Sequence, residues 1–548
     1  MMTLRIALTM GALLTWGALS ADTVETDVML SADSASVVAD TPDVMTHTVV
    51  TDSNYVVPEL KWEGAGAAWK RDFSYGCVPL LVAGVALHIQ QDDYRELRNK
   101  FVPKFNSLLD NYSQYSPLVV TTAIKAFGGE TRSSWGRYAV SSAFSAALMA
   151  GFVNSLKYTV KEMRPDGSTR NSFPSGHTAT AFMCATIMSK ELGWRSPWYS
   201  VGAYGVASTT GIFRVLNNRH WINDVVFGAG IGILSVDLGY FLGDLVFKEK
   251  GINPRSLVFH TPNLDGKPSF LSMGMSVGTT INLDAPQIYD FYASDETLTP
   301  AADSEPLNLR LRTGATTSVG VEGAYFFNKH WGIGGQADIT AVPVIPEYNS
   351  SFQPYVFPDV MGDYPVKPEL GYRLDGLEAS TLGIINVGVG PYWSTQIGRR
   401  WRLGAKVLVG TSINTNFDIN SYSSVNDETK AYFDYLLSTD EMSRDEYDDL
   451  VESIKDTDFL HIETSSSFST TAGLSLMYAV REHSALRLYV DYTYSNPKYT
   501  YKLYNRMDWR ALADADDDTD DVPFIEDRFE KRMSLSHFKF GMSFTTLF

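Results

Sequence analysis

Residues 157–177 read KYTVKEMRPDGSTRNSFPSGH, and residues 214–224 read RVLNNRHWIND. The apolar, small-residue run from Tyr138 to Met163 predicts a helix, which places Lys157 and Arg164, seven residues apart, on one face. Pro165 and the polar stretch Asp166 to Ser172 then end that helix and turn the chain, because the residue before a proline is driven out of helical geometry. Pro174 suits a first helical turn, and Ser175 and Gly176 present backbone N–H groups at a helix start, which makes an anion site. Further along, His220 and Asp224 lie four residues apart, so a helix sets both on one face, where the carboxylate holds one ring nitrogen and aims the other. Cations, a helix start and an oriented histidine together describe a site that grips a phosphate and attacks it.

In this order and spacing the three blocks resemble the type 2 phosphatidic acid phosphatases (PAP2), which share their bundle with bacterial acid phosphatases and vanadium haloperoxidases. The pattern of that family is Lys, six residues, Arg-Pro; then Pro-Ser-Gly-His; then Ser-Arg, five residues, His, three residues, Asp. Only Phe213 departs from it, standing where the family has serine, and the lost hydroxyl removes at most one supporting hydrogen bond. The resemblance covers roughly Lys61 to Lys248. It implies an all-α PAP2/haloperoxidase-like helical bundle with His220 as the nucleophile that forms a phosphohistidine and Asp224 fixing its tautomer. It implies His177 as the acid for the leaving oxygen and then the base for water. Lys157, Arg164, Arg214 and the Ser175–Gly176 segment would bind the equatorial phosphate oxygens. Phosphoryl transfer asks mainly for positioning and charge stabilisation, which three cations and helix N–H groups supply without a metal. No motif suggests a metal or a cofactor, and Lys161 and Arg219 read as solvent or partner contacts.

The C-terminus, His537 to Phe548, reads HFKFGMSFTTLF. Phe538, Phe540, Met542, Phe544 and Phe548 fall on one face, with His537, Lys539, Gly541, Ser543 and Thr545 on the other. This resembles the closing strand of bacterial outer-membrane barrels. Similar alternation predicts about eight strands, near 268–283, 307–326, 330–345, 379–395, 400–417, 461–480, 484–503 and 533–548. Tight connections around Asn328, Gly398 and Glu482 alternate with four long ones rich in Asp, Ser, Asn and Pro, the asymmetry of short periplasmic turns and long outer loops. Tyr325, Phe326, Trp331, Trp393 and Trp401 sit near strand ends, as in an aromatic girdle. The expectation is an eight-stranded antiparallel transmembrane β-barrel filled by side chains, with no pore. A soluble β-sandwich or barrel also alternates and is the competing reading.

Met1 to Leu19 has the charged start and apolar stretch of a signal peptide, with small residues at Ala18 and Ser20. The boundaries read as signal peptide 1–20, flexible leader 21–60, phosphatase helices 61–250, linker 251–266 and barrel 267–548. The chain carries 63 acidic against 45 basic side chains, a net charge of −18 that argues against nucleic acid as partner. The run Asp514 to Asp521 reads as a solvated outer loop. Cys77 and Cys184 are either buried thiols or one disulfide. The apolar stretches of the helical region look short or interrupted, for instance by Asp237 and Asp244, which predicts a periplasmic bundle of about six helices packed on its own apolar faces.

The resemblance thus implies a metal-independent phosphatase for phosphomonoester or diphosphate groups of membrane lipids: lipid A, phosphatidate, phosphatidylglycerophosphate or a polyprenyl diphosphate. It would be tethered to the outer membrane and face the periplasm. Three alternatives stand beside it: a periplasmic acid phosphatase for soluble substrates, a vanadate-dependent haloperoxidase, and a structural or adhesin barrel with a vestigial phosphatase domain.

Overall fold

A computed structural model describes residues 64–257, 268–281, 309–348, 372–425, 427–439, 456–481, 484–507 and 524–547, with short pieces at 48–50, 56–58, 62, 443–445 and 447–448. The signal peptide, nearly all of the leader, residues 258–267 of the linker region, the acidic run Asp514 to Asp521 and Phe548 lie outside the described residues.

The first half is helical: α1 Ala65–Asp72, α2 Cys77–Leu87, α3 Gln91–Phe101, α4 Leu109–Ser113, α5 Ser116–Ala126, α6 Trp135–Val160, α7 Gly176–Leu192, α8 Pro197–Leu216 and α9 Ile222–Phe247. Phe73, Leu80, Leu81, Ala179, Phe182, Phe227, Ile231 and Ile233 form its main core, where α2 and α7 close on α9. Helix α6 stops at Val160 because Lys161 turns left-handed, with φ 52°. Arg164 is therefore off the helix, and the chain turn, not a helical i, i+7 spacing, decides where it sits. Cys77 and Cys184 are both buried free thiols.

Helices α6 and α9 have 26 residues each and are apolar enough to cross a membrane. At about 1.5 Å per residue each is roughly 39 Å long, against a hydrocarbon core of about 30 Å. This corrects the reading of short, interrupted apolar stretches. The two carboxylates within α9 are paired and buried: Asp244 with Arg137, and Asp237 with Lys190 at 2.9 Å and with the Ser74 hydroxyl at 2.7 Å. The outer face of α6 exposes Ala143, Ala146, Ala147 and Ala150.

The second half closes into a barrel of eight antiparallel strands: β1 Phe270–Ile281, β2 Thr316–Phe326, β3 Trp331–Val342, β4 Leu382–Gln396, β5 Trp401–Asn414, β6 Ser467–Arg481, β7 Ser484–Ser495 and β8 Leu535–Leu547. Each strand pairs with its sequence neighbours, and β8 closes on β1 with Phe544 opposite Met273. Successive side chains alternate sides, so Val389, Val407, Leu474, Phe538 and Phe540 face outward and exposed while polar residues point in. Phe326 departs from the girdle reading, since it points into the lumen and is buried, whereas Tyr325, Trp331 and Trp401 are exposed.

The lumen is occupied by ion pairs. Lys406 reaches Glu322 at 2.8 Å and Asp491 at 2.9 Å, Arg487 reaches Glu322 at 2.7 Å, and Lys539 reaches Asp338. One rim carries the three short connections, 327–330, 397–400 and 482–483. At the other rim the strands continue outward as a five-stranded open sheet, built from Tyr372–Ala379, Phe417–Val425, Asp456–Thr464, Lys498–Met507 and Phe524–Arg532. Leu309, Leu382, Phe417, Ile462, Tyr499 and Leu535 form an apolar plug there.

The helices do not hang from the short-turn rim. They lie along the outside of the barrel wall, where outward Met273 and Phe544 join the bundle core and Met275 and Ala341 pack with Leu87 and Leu97. The expectation of a bundle packed only on its own faces is corrected, because an outward apolar strand face serves a helix as well as it serves lipid.

Replacing Lys406 by Met leaves Glu322 and Asp491 short of a buried cation, and such a break costs about 3–5 kcal/mol. Urea unfolding of the detergent-folded protein should show that loss, and Lys406→Met combined with Asp491→Leu should recover part of it. An unchanged midpoint for Lys406→Met would mean that the lumen is wet enough to screen the charges.

Candidate active site

Helix α9 opens at Ile222, so His220 precedes the helix and Trp221 is extended at its N-cap. Asp224, in the first turn, accepts the Trp221 N–H at 3.0 Å, which satisfies one of the donors that a helix start leaves over. The same oxygen lies 3.3 Å from His220 Nδ1 and accepts the Ser172 hydroxyl. The His–Asp pair is therefore built by a helix terminus and not by a shared helical face, and both side chains are buried.

Asp224 also ties in the second block. Its carbonyl accepts the Ser175 N–H at 3.0 Å. Ser175 caps α7, its Oγ accepting from the Thr178 N–H at 3.4 Å. The Ser175 N–H is thus already used, and the start of α7 offers Gly176 and His177 to an anion. A Cβ on Gly228 would lie 2.7 Å from the Ser175 carbonyl oxygen, so a glycine there is what lets α9 and the loop before α7 approach this closely.

Lys157 is held near the last turn of α6 by the carbonyls of Asn171 and Ser172. Arg214, on α8, is buried and pairs with Asp110 at 2.7 Å. Arg164 contributes its backbone to the turn, its N–H donating to the Thr169 carbonyl at 3.0 Å, and its Nε is buried without a partner among the described residues. His177 feels the charges of Arg214, Arg164 and Asp110, and His220 those of Arg214, Lys157 and Asp224. The three cations and two histidines of the sequence reading therefore meet around one point. Lys161 is exposed, and Arg219 pairs with Asp166 at 3.0 Å, close enough for its charge to act on Arg164.

Four residues that the motifs do not name border the site. Asp110 and Asn111 come from the single turn of α4, Asp110 on Arg214 and Asn111 3.0 Å from His177 Nε2. Ser172 stands between Asp224 and His220, with its Oγ 3.5 Å from Nδ1. Glu162 is buried behind Asp224, and burial together with the Asp224 charge pushes its pKa up to about 9, so it is neutral at neutral pH. No spacing rule marks any of them. Phe213, in the place of the family's serine, turns its ring to Phe105, with centroids 5.4 Å apart.

Burial, then the Arg214 charge, lowers the His177 pKa to about 4. Burial also lowers that of His220, against the pull of Asp224. Both imidazoles are therefore neutral at pH 7. Proton NMR of the ring C–H signals should show His177 protonating near pH 4, and Arg214→Gln should raise that midpoint toward the ordinary value of about 6.5. A wild-type midpoint at 6.5 would contradict this electrostatic picture.

Residues 138–242 match the family described as the PAP2 superfamily. A lipid A 1-phosphatase of Porphyromonas gingivalis is 50% identical over 173 residues, 31% of this chain and 39% of that protein. The chain thus spans about two fifths of the length of the curated relative it matches. Among solved structures, Aquifex aeolicus LpxE is similar over 26% of this chain and 92% of its own, at 23% identity and a TM-score of 0.22. The outer membrane protein OprG of Pseudomonas aeruginosa is similar over 52% of this chain and 99% of its own, at 9% identity and a TM-score of 0.26. The helical half thus carries a PAP2 superfamily domain, and the chain ends in a closed eight-stranded barrel.

Proposed function

We propose that this protein is a metal-independent phosphatase of the PAP2 type that removes phosphate from membrane lipids and is held in the outer membrane by its barrel. The observation that carries the reading is the buried His220–Asp224 pair, facing three cations and a helix start. With Asp224 on Nδ1, the Nε2 lone pair of His220 is the group left to attack phosphorus. Lys157, Arg164 and Arg214 and the first N–H groups of α7 stabilise the charge on the equatorial oxygens. His177 protonates the leaving oxygen, then takes a proton from the water that cleaves the phosphohistidine.

Asp110 pairs with Arg214 and Asn111 bonds to His177. An incoming phosphate competes with both, and its charge favours the protonated His177 that the first step needs. Among lipid phosphates, the 1-phosphate of lipid A is the first candidate, because the 50% identical relative is named for it. Phosphatidate, phosphatidylglycerophosphate and polyprenyl diphosphates carry the same reacting group.

Phosphate release by detergent-purified protein, with EDTA present, should be seen on lipid substrates and should fall at least about 10³-fold in His220→Ala. Good hydrolysis of soluble monoesters with none of lipids would leave a periplasmic acid phosphatase. An inert, correctly folded protein would leave the barrel as the functional part.

A further inference from the structure

We infer that the active site opens at the outer-leaflet end of the barrel, so that the lipid phosphate it takes is drawn from the outer leaflet of the outer membrane. This rests on the lipid-phosphatase reading for its substrate, and on contacts between bundle and barrel for its side of the membrane.

Helix α3 joins the two halves. On one side it meets the rim that carries the long connections. Gln90, just before α3, bonds to Ala315 and Thr317 where β2 begins; Lys100 donates to Ser380 Oγ at 2.9 Å; and Glu96 accepts the Thr381 N–H at 3.1 Å. On its other side α3 borders the site. Arg98 donates to the Leu216 carbonyl at 2.9 Å, and the Arg95 guanidinium lies 5.7 Å from the Trp221 ring, next to His220. Site and long-connection rim are therefore at one level.

The far end of the bundle is at the other rim. Gly76, before α2, abuts the Phe544 ring, close to where β8 ends, and the Tyr204 ring lies 5.9 Å from it. The chain passes from the bundle to the barrel at this end, since Ile252 bridges Ser133 beside the start of α6 and β1 begins at Phe270. Helices α6 and α9 run between the two levels, carrying Lys157 and Asp224 at the site end. Each is long enough to span the hydrocarbon core, which sets the site at headgroup height.

Short turns of such barrels face the periplasm, so the site end faces the outer leaflet. The surroundings of the site suit a lipid. Next to Asp110 and Asn111, the side chains of Leu108, Leu109, Tyr112 and Tyr115 are exposed, an apolar approach for acyl chains beside a polar contact for the phosphate. This placement replaces the periplasmic one expected from the sequence.

Cysteine labelling tests the side of the membrane without using activity, so it separates this inference from the phosphatase reading. Native Cys77 and Cys184 are buried and give little background. Ser168, exposed in the turn beside Arg164, reports the site; Gly398 reports a short turn; and Ser438 reports a long connection. In intact cells a membrane-impermeant maleimide should label Ser168→Cys and Ser438→Cys, and should label Gly398→Cys only after permeabilisation. If Ser168→Cys is labelled only after permeabilisation, together with Gly398→Cys, the inference is overturned. Equal labelling of Ser168→Cys and Gly398→Cys in both conditions would put the two ends in one compartment and overturn it as well.

Discussion

The side chain and carbonyl of Asp224 hold the three blocks of the site together. The carboxylate takes the Trp221 N–H and the Ser172 hydroxyl and sits beside His220 Nδ1, while the carbonyl takes the Ser175 N–H. One residue in the first turn of α9 thus caps its own helix, orients the imidazole, anchors the turn after α6 and positions the start of α7. A carboxylate is favoured there by the helix dipole; its Oδ2 takes the Trp221 and Ser172 donors, while its Oδ1 is buried with no hydrogen-bond partner among the described residues. On the proposed mechanism the imidazolium that develops on His220 meets a charge already held in position, so little reorganisation is needed during phosphoryl transfer.

The barrel solves a different electrostatic problem. Its wall is apolar outward, so the polar residues of alternate positions must face a narrow interior. There Lys406, Arg487 and Lys539 are matched by Glu322, Asp491 and Asp338. Buried charges of this kind are tolerated only when paired, which makes the filled lumen a rigid post for the helices outside it. The same outward face that suits lipid also receives α2, α3 and α8, and this leaves bundle and barrel side by side.

Much of this arrangement was legible in the sequence. Eight antiparallel barrel strands form where period-2 alternation and turn residues put them, five with ends close to those expected, whereas β2 starts nine and β6 six residues later and β7 ends eight residues earlier; the motif residues meet as their order suggested. The misses have physical causes. Helix spacing could not place Arg164 or His220, because both lie just outside helix ends, where left-handed Lys161 and extended Trp221 redirect the chain. Asp110 and Asn111 come from a single turn without any periodicity. The outer sheet has no break in the sequence to separate it from the barrel strands, since only two residues separate Asn414 from Phe417 and Ser495 from Lys498. The contact of helices with the wall left no mark, because Met273 and Phe544 look alike whether lipid or a helix covers them.

The central claim is that the Asp224-oriented His220 takes the phosphoryl group. Rapid acid-free quenching of the protein during turnover of a lipid phosphate labelled in its phosphoryl group, followed by peptide mapping, tests it most directly. The account predicts an acid-labile, alkali-stable phosphoryl group on the peptide that carries His220, and its loss in Asp224→Asn. Turnover with no phosphoryl-enzyme, or a label on any other residue, would contradict it.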